Sequence, residues 1–186
     1  MKSKKLTTRD IAYIAMGVAL IAVCSWISVP MTVPFTMQTF AVCLMAALLG
    51  LRGGLWTVCC YILLGAVGAP VFSGFRGGFA ALLGTTGGYI AGFVFTALIV
   101  GLAVGRWGRK LPVLLGSMAV GVLVCYAFGT AWFMAVYARN SGPIGIMTAL
   151  GWCVFPYLLP DAAKIALAAV LTGRLRPLLY REGRTA

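Results

Sequence analysis

The sequence predicts an all-α membrane protein with six transmembrane helices and both termini in the cytoplasm. Its composition is the first reason: hydrophobic residues make up 62% of the 186 residues and charged residues 10%, with a mean hydropathy of +1.01. These values lie far outside those of soluble domains. The second is that apolar residues extend over the whole length, mixed with Gly, Pro and aromatic residues, which suits a helical bundle better than the dyad alternation of a membrane barrel. The third is the sidedness of the basic residues. At about 20 residues per crossing, this length holds a single domain of five to seven helices.

Each element has its own justification. Met1 to Asp10 is basic and polar, and the apolar run after it is too long for a signal peptide and lacks a convincing cleavage site, so the start reads as a cytoplasmic flank to a retained helix. The first helix is expected at about 11–29, with Pro30 and Pro34 punctuating the loop after it. A short second helix follows at 35–51 and a third at 54–69. The stretch VFSGFRGGFAALLGTTGG closes a Gly-rich outer loop, 70–88, that cannot be helical throughout. The remaining helices are expected at 89–104, 111–137 and 148–173, all within one transmembrane domain, 1–186.

Loop charges test that count, because Lys and Arg in short loops favour the cytoplasmic side. With the amino terminus inside, six crossings place Lys2, Lys4, Lys5, Arg9, Arg52, Arg106, Arg109, Lys110, Arg174, Arg176, Arg181 and Arg184 in the cytoplasm. Arg76 and Arg139 fall outside, and Lys164 lies within the membrane, which accounts for all 15 basic residues. The net charge of +12 therefore reflects topology and implies no nucleic acid. The six cysteines lie in apolar segments with neither metal-ligand spacing nor a disulfide framework, as small packing residues do. The chain has no histidine, so His-based acid/base chemistry and His metal sites are excluded. Nothing resembles a phosphate-binding Walker loop, so any ATP-driven step needs an ATPase from another subunit. No catalytic or metal-ligating set is expected.

Asp161 and Lys164 are the most informative residues. Asp161 is one of three acids in the chain, and Lys164 stands three residues on in the same apolar run. Ionisable groups at bilayer depth are costly and usually face a cavity, a partner or a substrate path. On a helix the two share one face, about one turn apart. A purely structural ion pair is the alternative. Pro156 and Pro160 make the segment before the pair irregular, or let Pro160 stand in the first turn of a helix that begins at the site.

The Gly-rich loop carries the second set, with Arg76, Gly77, Gly78, Gly87, Gly88 and Tyr89. Glycines let backbone amides approach a ligand, and where such a loop opens a helix the free amides and the positive helix end favour an anion such as a carboxylate. Tight packing is the alternative reading of these glycines. Gln38, with Thr36 and Thr39 beside it, is a further polar candidate near the outer end of the second helix; such a residue also serves as an interhelical hydrogen bonder. On the first helix, Ala15-x-x-x-Ala19 makes a flat stripe on which another helix can pack.

PFTMQTF before the second helix, GAPVFSGFRGGFAALLGTTGGY across the third loop and PDAAK in the sixth helix together resemble the BioY family, the biotin-specific S components of energy-coupling factor transporters. The similarity spans nearly the whole chain. Its specific parts are the FRGG to TTGGY segment and Asp161-x-x-Lys164. The Ala15-x-x-x-Ala19 stripe is similar to a motif shared by S components for many vitamins. The resemblance implies the S-component fold and a multi-pass protein of a bacterial or archaeal plasma membrane that captures biotin from outside and is no enzyme. It implies a transmembrane T component and two ABC-type ATPases as partners, with the alanine stripe as docking face and ATP used only by those subunits. It also implies that the S component topples in the membrane with its occluded ligand. No cofactor is expected. Asp161 is placed to accept from ureido N–H and Lys164 to donate to a carbonyl, while either Arg76 or the Gly87-Gly88 amides hold the carboxylate. Phe75 and Ile90 stand where some relatives carry a polar and a basic residue. An S component for another vitamin, such as thiamin, is the alternative.

Overall fold

The computed structural model describes residues 6–181. Lys2, Lys4, Lys5 and Arg184, counted above as cytoplasmic, lie outside the described residues.

Helix α1, Thr8–Trp26, opens with a capping box: the Thr7 hydroxyl accepts from the Asp10 backbone, and the Asp10 carboxylate accepts from the Thr7 N–H at 2.9 Å. This satisfies two of the donors that a helix start leaves orphaned. After Trp26 the chain makes two short antiparallel strands, β1 (Ser28–Val29) and β2 (Phe35–Thr36), in the register Ser28↔Thr36 and Val29↔Phe35. Pro30 and Pro34, which cannot continue a helix interior, fall in the turn between them.

Helix α2, Gln38–Ala66, folds back on itself. Gly50 within it has φ +71° and ψ −166°, a conformation nearly closed to residues with a Cβ. Gln38 donates to the Tyr61 hydroxyl, whereas 23 residues of straight helix would hold them about 34 Å apart. A Cβ on Gly54 would lie 2.8 Å from the Ala46 Cα, so the arms, 38–49 and 51–66, touch backbone to backbone beside the turn. The turn stands at Gly50, slightly before the position the sequence pattern suggests.

A single-turn helix, α3 (Phe79–Leu83), interrupts the outer loop. It is followed by α4 (Gly87–Trp107), α5 (Leu111–Ser141), α6 (Ile146–Cys153) and α7 (Phe155–Arg181). Among the described residues five stretches are long and apolar enough to cross a bilayer, with α6 and α7 counted together. The reversal at Gly50 turns the second of these into two, giving six crossings. The expected sixth helix is broken at Val154 (φ −127°, ψ −58°) rather than at Pro160. Pro156 takes the first turn of α7, where a missing N–H costs no helix bond, and Pro160 lies inside the helix.

The first arm of α2 is the centre of the bundle: Ala41, Val42, Cys43, Ala46 and Ala47 are wholly buried. Small residues bring α4 close to α2, as at Gly101, where a Cβ would stand 2.5 Å from the Leu51 Cα. At the far end of that arm Arg109 donates to the Ala47 and Leu48 carbonyls at 2.7 and 3.3 Å, satisfying acceptors that the helix end leaves free. This end also carries Arg52, Arg106 and Lys110, which marks it as cytoplasmic. The Arg76 loop lies at the opposite end.

Candidate ligand-binding site

Asp161 and Lys164 stand one turn apart on α7, and the Lys164 Nζ lies 2.6 Å from Asp161 Oδ1. Both are almost fully buried, at 4% and 5% exposure, and charges so withdrawn from water require close partners. Tyr126 of α5 donates to the other Asp161 oxygen, Oδ2. Lys164 donates a second hydrogen to the Thr36 carbonyl at 2.6 Å, and its ammonium lies 3.7 Å from the centroid of the Phe35 ring. An ammonium has three N–H groups; these two bonds leave one.

The β1–β2 hairpin thereby becomes the roof of the site. Lys164 holds its second strand, and Tyr157, also of α7, donates to the Val33 carbonyl and stacks on Phe35 with centroids 6.3 Å apart. Beneath the roof is a cavity of about 280 Å³. Polar groups line it at the Asp161–Lys164 side and also at the outer loop, through Ser73, Arg76, Thr85 and Thr86, and Phe72, Ile90, Phe93 and Val122 supply apolar wall. A mostly apolar chamber with a few convergent polar groups is the usual form of a small-molecule site.

Of the residues singled out from sequence, Asp161, Lys164, Gln38, Arg76 and Tyr89 line this cavity, whereas Gly77, Gly78, Gly87 and Gly88 do not. Gly77 and Gly88 serve close packing: a Cβ would stand 2.3 Å from the Ala69 carbonyl oxygen at the first and 2.2 Å from the Trp132 side chain at the second. The Gly87 N–H is taken by the Gly84 carbonyl at 3.1 Å. Arg76 is exposed at the rim, and its guanidinium has no hydrogen-bond or ionic partner among the described residues. Gln38 is engaged within the protein, donating to Tyr61 and accepting from the Thr36 hydroxyl at 3.1 Å. The Tyr89 hydroxyl pairs with Thr130 at 2.9 Å. Ala15 and Ala19 are exposed together on one face of α1, while Gly17 faces inward against Met45 and Thr57. Tyr126 and Tyr157 are the site residues that sequence reasoning missed. A tyrosine in an apolar run reads as packing unless its hydroxyl partner is known.

Comparison with known proteins places these features. The model of the BioY family matches residues 1–181. The chain is 38% identical over 161 residues to the biotin transporter BioY of Thermotoga maritima, covering 86% of this chain and 91% of that protein. It is also 38% identical over 172 residues to a probable biotin transporter BioY of Pyrococcus horikoshii, covering 92% and 98%. Among solved structures it is similar to the S-component for biotin from an ECF-type ABC transporter, with a TM-score of 0.77 and 25% identity over 92% of this chain and 95% of that one. The chain belongs to the BioY family.

Proposed function

We propose that this chain is the substrate-capture S component of an energy-coupling factor importer in the plasma membrane of a bacterium or archaeon, and that it binds biotin from outside. The observation that carries this reading is the buried Asp161–Lys164 pair at one side of a roofed chamber with both polar and apolar lining, in a chain of this family.

Biotin presents a ureido ring with two N–H donors and one carbonyl, an apolar thiolane and chain, and a terminal carboxylate. An ionised carboxylate has about four lone-pair sites, and Tyr126 and Lys164 occupy two at Asp161. One of the remaining sites accepts a ureido N–H. The third Lys164 hydrogen donates to the ureido carbonyl. The aromatic and aliphatic wall encloses the thiolane, with Tyr89 and Gln38 setting its shape through bonds made inside the protein. At the rim, the Arg76 guanidinium, which has no partner among the described residues, takes the carboxylate; the Gly87-Gly88 turn is less suited, because its first amide is already engaged. The chain does no covalent chemistry. ATP is used by two ABC-type ATPases that reach this subunit through a transmembrane T component, which docks on the Ala15 and Ala19 face of α1.

Isothermal titration of the purified chain in detergent tests this reading, with biotin and thiamin as separate titrants. Saturable binding of biotin at one site per chain is expected, with no heat from thiamin. Absence of biotin binding overturns the assignment, and tight thiamin binding replaces it with the other vitamin.

A further inference from the structure

We propose a second binding site, for an anionic phospholipid of the inner leaflet, in a groove between the cytoplasmic ends of α4 and α5. The groove is much larger than the biotin chamber, about 1080 Å³, and Leu102, Val113 and Val120 form its walls. Gly105 and Gly116 open it from opposite helices. A Cβ at either would meet no atom within 4 Å, whereas one at Gly92 or Gly101 of α4 would press on Cys125 or Leu51. These two glycines therefore leave space instead of closing a helix contact. Apolar space open to the bilayer is filled by acyl chains.

The charge at the end of the groove selects the headgroup. Arg106 lines the groove in the last turn of α4, and the turn after it brings Lys110. Both are exposed, and neither side chain has a hydrogen-bond or ionic partner among the described residues. Among the described residues no acid pairs with them. Of the chain's three carboxylates, Asp10 closes the cap of α1 and Asp161 is buried in the ligand site, while Glu182 lies outside the described residues. Among the described residues, neither carboxylate neutralises Arg106 or Lys110. Trp107 is 63% exposed beside Arg106 and lines the same groove, at the depth where indole rings meet headgroups. Basic pockets between helices on the cytoplasmic side suit anionic lipid headgroups. The alanine stripe proposed for the T component lies on α1, which packs chiefly on α2, so the groove belongs to a different face.

Native mass spectrometry of the full chain, released from detergent after incubation with equal amounts of phosphatidylglycerol and phosphatidylcholine of the same acyl chains, tests the proposal. Retention of phosphatidylglycerol in preference to phosphatidylcholine is expected. Arg106→Gln should lower that preference about fivefold, as one basic group near the surface does, without abolishing lipid retention. Gly116→Leu, whose side chain fills the groove, should lose both lipids while melting as the parent does in circular dichroism. If Gly116→Leu does not fold, the Arg106→Gln selectivity decides. Equal retention of the two lipids by the parent chain, unchanged selectivity in Arg106→Gln, undiminished lipid on folded Gly116→Leu, or a dimer mass that disappears in that variant would each overturn the proposal, the last in favour of a second copy of the chain.

Discussion

In the variant Lys164→Met, the Asp161 carboxylate loses one of its two donors and the Thr36 carbonyl loses the ammonium that ties the β1–β2 roof to α7. Asp161 is then 4% exposed and supported only by Tyr126. Removing one partner of a buried ion pair costs about 3–5 kcal/mol, a large share of the roughly 5–15 kcal/mol by which a folded chain is stable. For a chain of this size that corresponds to a melting point lower by roughly 6–20 °C. The double variant Asp161→Asn/Lys164→Met leaves no buried charge, and the amide that replaces the carboxylate still accepts from Tyr126, so stability should return to within about 1 kcal/mol of the parent. Biotin binding should not return with it. Two charge-assisted hydrogen bonds at about 1.5–3 kcal/mol each amount to about two to four orders of magnitude in Kd. Thermal unfolding in detergent and calorimetry with biotin read the two quantities separately. A double variant that binds biotin as the parent does would refute the reasoning and leave the pair as a clasp between α7 and the roof.

The rim arginine gives a second expectation. Arg76→Gln should weaken biotin binding about tenfold, the lower end for a bond to a charged group, because the side chain is exposed; the same variant should bind biotin methyl ester as the parent does, and an equal loss for acid and ester would remove Arg76 from the carboxylate. On α1, Ala19→Leu places bulk on an exposed face that no other part of the described chain covers, so biotin affinity should be unchanged while co-purification of the T component and its ATPases falls. Undiminished assembly and transport in the reconstituted complex would place docking elsewhere.

Legibility from sequence followed the physical cost of each residue. An acid and a lysine three residues apart in an apolar run are conspicuous because the bilayer tolerates so few, and both line the chamber. Basic residues near the helix ends, through their bias to one side, made the topology readable. The Gly50 reversal was harder to place, since any of Gly50, Gly53 and Gly54 fits a turn. The backbone shows that the first takes the left-handed angle, while Gly54 is spent on contact with Ala46. The loop glycines were drawn toward the ligand because both a ligand approach and a close chain crossing ask for a missing Cβ. What sequence could not display is the set of bonds between distant segments. Lys164 meets the Thr36 carbonyl across 128 residues and Tyr157 meets Val33 across 124, and a backbone carbonyl leaves no mark in composition. Tyr126 and Tyr157 are hidden for the related reason that a ring belongs in an apolar helix whether or not its hydroxyl has work to perform.

The short first arm of α2 has a bearing on how cargo leaves. Its twelve residues, 38–49, rise only about 18 Å against a hydrocarbon layer of about 30 Å, and the ligand chamber sits at its outer end. Cargo resting there is already well below the outer surface. Beneath it the arm forms a stopper of wholly buried small side chains, Ala41, Cys43, Ala46 and Ala47, held at its foot by Arg109. Passage inward past this stopper would mean unpacking wholly buried side chains, whereas the roof opposite is fastened by a few side chains of α7. A chain built this way has one door to its chamber, the β1–β2 roof, and a packed arm closing the other side.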